Sequence, residues 1–341
     1  MIDFEDIISI DRHFADFMHK LNQLKSADPH TSLRELSIKY WYESLRQRTG
    51  LEIASQLQQK FEPDAVSRNE RGTIDYTKNK WSGYRRGRHR PQKKLLNKVD
   101  ILAPGSSRSL DHPLWSVLDL SNIEILEGHA FLRRLTPDVQ SVVMHAQDDF
   151  LAPEKILPLF RKRLNKLLRK PNLDALACLV WFLRKTQADE AGEEELTLIA
   201  NTLHDALILS SLDLHSLNIA FPLIRKIIDD ILPLALPTHL KYAVEPEDYL
   251  ISAFILAAIS QKNLAKSERP ITWHNRTRFM FELLDGKRGL DIRLAMLPKL
   301  LLDQSNGSIS SVLVKKFEVG ERLRRKAWRS LIAGSGNGRT T

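Results

Sequence analysis

The sequence predicts an all-α protein, with a small basic N-terminal domain followed by a larger helical one. Three observations carry this prediction. Apolar residues recur at three- and four-residue steps over most of the 341 residues. No stretch alternates at period two long enough to specify a sheet. Prolines and glycines fall mainly between the Leu-rich runs. At ~150 residues per domain the length fits about two cores, and 43% apolar residues exclude a wholly disordered chain.

In chain order, Ile7, Ile8, Phe14, Phe17, Met18, Leu21 and Leu24 give residues 1–30 a helical period, which Ser26 to His30 interrupts. A second helix is predicted from Thr31 or Ser32, because Glu35 stands three residues after Ser32 as a capping box requires. It carries Leu33, Leu36, Tyr40, Trp41 and Leu45 and is closed by Gly50. A shorter helix follows between Leu51 and Phe61. Residues 62–76 are polar, contain Pro63 and Gly72, follow neither period and read as a loop. The stretch 104–113, with Pro104, Gly105, three serines and Pro113, is the expected domain boundary. This divides the chain into an N-terminal helix (1–30), a basic domain (31–112), an all-α domain (113–332) and a disordered tail (333–341).

Charge is concentrated at one place. Residues 1–75 carry ten Lys/Arg and thirteen Asp/Glu, whereas residues 76–99 carry nine Lys/Arg and no acid. That segment alone matches the formal net charge of +9 of the whole chain. Charge this local marks a surface for an anionic partner. A run of like charge is also what a solvated face looks like, so the order of residues within it matters.

Asn79 to Pro91 reads as a helix, a turn and a new helix. Trp81 and Tyr84, three apart, share one face. Gly87 suits the left-handed residue that ends a helix, and Pro91 the first turn of the next, whose stripe is Leu95, Leu96, Val99 and Leu102. This aromatic-x-x-aromatic-x-Arg-Gly-x-x-x-Pro string, followed by an amphipathic helix, resembles the recognition helix and following helix of Cro/phage-repressor-type (XRE-type) helix-turn-helix domains. Ile53-Ala54-Ser55-Gln56-Leu57 is similar to that family's second helix, and Leu45 to Arg48 to the end of its first. The resemblance covers residues ~31–103. It departs from the family in one respect: more than a dozen residues separate Leu57 from Trp81, where members use a tight turn.

The resemblance implies that Trp81, Tyr84, Gly87 and Pro91 form the motif core. It implies that Lys78, Asn79, Lys80 and Ser82 reach base edges, and that Arg85, Arg86, Arg88, His89, Arg90, Lys93 and Lys94 hold phosphates. Gly83 stands where members often carry a base-reading side chain. If about six cations meet phosphates, the binding constant should fall with salt with a logarithmic slope near −5. Duplex DNA is the expected partner, and the protein a regulator or accessory factor, of the kind a mobile-element or phage-related locus encodes. A homo-oligomer or protein partner is expected through the larger domain. Two other readings stand beside this one: a helical scaffold with an electrostatic docking strip, and an RNA or single-strand binder that stacks bases on Tyr76, Trp81 and Tyr84. Burial of Trp81 separates DNA docking from stacking.

No enzyme, cofactor or metal site is expected. The single Cys178 excludes a Cys-based zinc site, and His204, Asp205 and His215 lack ligand spacing. Asp148-Asp149 and Asp229-Asp230 are adjacent, so on a helix they diverge. The glycines form no phosphate loop. The acidic start Met1 to Asp6 is unlike a signal peptide, and the most apolar window, Leu250 to Ile259, is half a membrane span. With one cysteine, this points to a cytoplasmic protein with no membrane partner.

Overall fold

A computed structural model describes residues 16–19, 21, 31–63, 66–68, 74–77, 80–144, 156–190, 192–237, 239–303 and 311–333. The chain is all-α, with two small antiparallel ribbons among the described residues.

The N-terminal module begins with α1 (Leu33–Thr49), whose capping box is formed as the sequence implies. The Glu35 amide donates to Ser32 Oγ at 3.2 Å, and the Ser32 amide to Glu35 Oε2 at 2.8 Å. Gly50 ends the helix at φ 66°. α2 (Ala54–Phe61) follows, shorter than expected. The segment read as a loop instead contains a two-stranded ribbon, β1 (Val66–Arg68) with β2 (Ile74–Thr77), pairing Val66 with Thr77. Strands of three and four residues are too short to show alternation, which is why the sequence hid them. Next come α3 (Lys80–Arg85), α4 (Lys93–Leu102) and α5 (Ser106–Leu110).

The larger unit runs through α6 (Pro113–Val117), two 3₁₀ turns (Glu124–Leu126 and Leu132–Arg134), α7 (Pro137–Val143) and α8 (Arg161–Leu168). It continues with α9 (Leu173–Ala188), α10 (Glu193–Ser216) and α11 (Ala220–Lys226). After β3 (Leu240–Tyr242) come α12 (Pro246–Lys266), α13 (Trp273–Leu284), α14 (Leu290–Ala295), β4 (Leu300–Leu302) and α15 (Ser311–Ala333). β3 pairs antiparallel with β4. α9 is the central helix, buried on nearly every side, so its apolar run has no polar face. Arg184 on α9 is buried and donates to the carbonyls of Val117, Asp119, Leu120 and Asn122 at 2.7–3.2 Å, which closes the loop after α6. No helix among the described residues is long and apolar enough to cross a membrane.

Two hydrophobic clusters meet along α1. One stripe of that helix (Ile38, Trp41, Tyr42, Leu45) enters the small core, which also takes in Leu57, Phe61, Trp81, Tyr84, Leu95, Val99 and Leu110. The opposite stripe (Leu33, Leu36, Tyr40) joins the large core, which resumes at Leu114. The change of core thus falls between Leu110 and Leu114, but 104–113 is no slack linker. Ser106, Ser109, Leu110 and His112 are buried, and Asp174 at the start of α9 receives Arg108 at 3.1 Å and faces His112 Nε2 at 3.6 Å. Burial tends to raise the Asp174 carboxyl, but His112 and Arg108 hold it below its ordinary range. Of the expected N-terminal helix, residues 16–19 are helical and Phe17 stacks on Phe254 at 4.7 Å. The expected tail lies outside the described residues, except that Ala333 belongs to α15.

Candidate nucleic-acid interface

An aromatic cluster holds the basic segment in place. Trp81 is fully buried between Trp41 (ring centroids 5.8 Å) and Phe61 (5.6 Å), with Tyr84 edge-on at 5.5 Å. Its indole Nε1 donates to Glu62 Oε2 at 2.9 Å, and Lys80 Nζ pairs with Glu62 Oε1 at 2.8 Å. One carboxylate at the end of α2 thereby fixes the start of α3 across the ribbon. Glu62 was not singled out in the sequence. Its only signal there is an acid following a helix end within otherwise uncommitted polar chain. Burial, with Glu62 nearby, pushes the Tyr84 hydroxyl far above its ordinary range, so it stays neutral.

The turn after α3 follows the expected grammar. The Arg88 amide donates to the Gly83 carbonyl and the Gly87 amide to the Tyr84 carbonyl, both at 2.9 Å, the paired bonds of a Schellman motif. Gly87 has φ +76°, and a Cβ there would lie 2.9 Å from the Glu35 carbonyl oxygen. Glycine is needed twice at this position, for the left-handed turn and for close approach to α1. At Gly83 a Cβ would meet the His89 ring at 2.9 Å, so the missing side chain makes room for that imidazole. Pro91 is buried, but it stands one residue before the cap Gln92 rather than in the first turn of α4, which starts at Lys93. At the far end, Asp100 accepts from Ser106 Oγ at 2.6 Å and the Ser107 amide at 2.8 Å, tying α4 to α5. Burial acts to raise this carboxyl, and those bonds hold it below its ordinary range.

The candidate contact residues divide into groups. Arg85, Arg86, Arg88, Lys93 and Lys94 are exposed, and none has a carboxylate partner among the described residues. Lys93 and Lys94 open α4 with no acid in its first turn, so the helix dipole adds to their positive field instead of opposing it. His89 is exposed beside them. Arg90 is exposed but pairs with Asp111. Lys80 is tied to Glu62, which removes it from the base-reading set in this conformation. Ser82 is half-buried on a helix of only six residues, three of which (Trp81, Gly83, Tyr84) face inward. Lys78 and Asn79 lie outside the described residues.

The remaining constellations fall to ordinary packing. His204 is buried, with Nε2 on the Met296 carbonyl at 2.8 Å and Nδ1 on Tyr249 Oη at 2.9 Å. A carbonyl only accepts, so Nε2 donates and Nδ1 accepts from the tyrosine hydroxyl. Burial lowers this imidazole to about 4. His215 stands edge-on to Phe17, and Cys178 is buried. Among the described residues no group of His, Cys, Asp or Glu could hold a metal ion. Asp229 and Asp230 lie in a π-turn after α11, where Asp230 pairs with Lys226 at 2.5 Å. Asp148 and Asp149 lie outside the described residues. Comparison with family models, with characterised proteins and with solved structures gives no match.

Proposed function

We propose that the α3–α4 segment docks on the phosphate backbone of duplex DNA, and that the protein is a DNA-binding regulator or accessory factor rather than an enzyme. The carrying observation is the set of exposed cations without carboxylate partners among the described residues, Arg85, Arg86, Arg88, Lys93 and Lys94, mounted between residues 85 and 94 on an aromatic frame. Cations that are already desolvated by salt bridges gain little from a phosphate; these five can exchange water and counterions for it. The reading favours phosphate contacts over base readout, because α3 is short, half inward-facing and has its first lysine held by Glu62. Base discrimination then falls to Ser82, Lys78 and Asn79. Stacking of single strands needs Trp81 and Tyr84 exposed, and their full burial weighs against it.

The helix-turn-helix resemblance enters this proposal for α3, the Gly87 turn and α4. For α2 it is looser, since the β1–β2 ribbon stands where members have a tight turn. Self-association through the larger domain is also proposed, as two copies on neighbouring half-sites raise affinity. The test is a gel shift on duplex DNA with the full chain and with an Arg86→Ala/Arg88→Ala double variant, with light scattering on the same samples to read the number of copies bound. Weaker binding of every duplex by the double variant supports docking. Unchanged binding, or none by the parent, favours the scaffold.

A further inference from the structure

A second cationic site lies in the larger unit, well apart in sequence from the α3–α4 segment. A groove of about 670 Å³ opens where the end of α8, the start of α9 and the face of α13 converge. That volume lies within the usual range of small-molecule sites. Arg169, Lys170, Arg278 and Lys287 line it, together with the rings of Trp273 and Phe281. Three carboxylates stand against these four cations, and all are committed. Asp138 meets Lys170 at 3.3 Å, Glu282 meets Arg278 at 3.5 Å and Arg288 at 2.7 Å, and Asp285 meets Lys287 at 2.9 Å and Arg161 at 3.7 Å. Arg169 has no carboxylate partner among the described residues. Its guanidinium lies 5.4 Å from the centre of the Phe281 ring, as does Lys287 Nζ.

Trp273 is the distinctive feature. Four of the six tryptophans are buried and Trp328 packs against the core, whereas Trp273 is 45% exposed. Its Nε1 donates to Asp213 Oδ2 at 3.0 Å, which pins the edge of the indole to α10 while leaving ring surface open. A large ring held in one place pays little ordering entropy when a flat partner stacks on it. Beyond Trp273 and Asn172 the groove continues into a cavity of about 390 Å³ between α1 and α9, so there is room for more than one unit of a chain.

We propose that this groove binds a nucleotide unit, its base stacked on Trp273 and its phosphate held by Arg169, with Lys287, paired to Asp285, beside it. A planar base matches the tethered ring, and a phosphate matches Arg169, the lining cation without a carboxylate among the described residues, whose guanidinium gives the forked contact. The unit is either a free nucleotide or part of a single strand. The proposal does not rest on DNA docking by α3–α4.

The test uses the full chain and three probes: adenosine triphosphate, inorganic triphosphate and a labelled oligothymidylate. Calorimetry reads the first two and anisotropy the third. Adenosine triphosphate or the oligonucleotide should bind more tightly than inorganic triphosphate, and which of the two is preferred identifies the source of the unit. Trp273→Leu should weaken that binding about tenfold, as loss of one stacked base does, and Trp273→Phe should recover most of it. Arg169→Gln with Lys287→Gln should weaken it too and guards against a folding defect in the leucine variant. Arg86→Ala/Arg88→Ala should leave adenosine triphosphate binding unchanged, which separates this site from the other. Equal binding of inorganic triphosphate, no binding of either nucleotide probe, indifference to Trp273→Leu, or loss of adenosine triphosphate binding on changing Arg86 and Arg88 would each overturn the proposal.

Discussion

Gly87→Ala tests the frame beneath the basic segment at its tightest point. Forcing an L-residue to φ +76° costs about 1–2 kcal/mol. The new Cβ would also sit 2.9 Å from the Glu35 carbonyl oxygen and 3.1 Å from its Cα. Both are backbone atoms of a first turn fixed by the Ser32–Glu35 capping box, so relief requires moving α1 against α3, an overpacking cost of about 1–3 kcal/mol. The expected total is about 2–5 kcal/mol. Gly83→Ala is the matched control. Its clash is with the free end of the His89 ring, which can swing away, and it gains about 1 kcal/mol of helix propensity. Urea unfolding should therefore show Gly87→Ala strongly destabilised and Gly83→Ala within about 1 kcal/mol of the parent. A Gly87→Ala variant as stable as the parent, or a Gly83→Ala variant that is the weaker of the two, refutes this packing argument.

Other perturbations have equally definite outcomes. Trp81→Ala should cost about 3–5 kcal/mol of packing and free Glu62 from the indole, so thermal stability and DNA binding fall together; binding lost at an unchanged melting temperature would make the ring a stacking platform. Asp205 is pushed up to about 7 by burial, against the opposing pull of Arg293 and Arg161. Its raised value means the folded state favours the protonated acid, so stability is full below the ordinary carboxylate range and is lost as pH rises through about 7. Asp205→Asn should thus raise the melting temperature at pH 8 and match the parent near pH 4; equal melting curves at pH 8 would contradict it. Arg184→Ala removes a guanidinium shared by four carbonyls and should destabilise by at least about 3 kcal/mol, read by denaturant unfolding.

The helices were legible where their signals are local. The Ser32–Glu35 cap, Gly50, and the Trp81–Tyr84 pair with Gly87 all act within a few residues, and the structure forms each as its sequence implies. Non-local choices were hidden. The β1–β2 and β3–β4 ribbons are too short to alternate, and β3 finds its partner some sixty residues away, a pairing no window can see. Lys80 looked like a free cation because its partner, Glu62, lies across the ribbon. The 104–113 stretch has the composition of a linker, but Arg108 and His112 converge on Asp174, which is distant in sequence. Trp273 carried no signal, since nothing in its neighbours tells whether an indole in a helix's first turn is buried or left open.

Salt dependence of duplex binding tests the proposed docking most directly. With Arg85, Arg86, Arg88, Lys93 and Lys94 on phosphates, log K against log salt should have a slope of about −4.5, slightly shallower than six contacts would give because Lys80 and Arg90 are already paired. Arg88→Ala should flatten it by about one unit on any duplex sequence. A slope near zero, or one that Arg88→Ala leaves unchanged, would contradict docking through this segment.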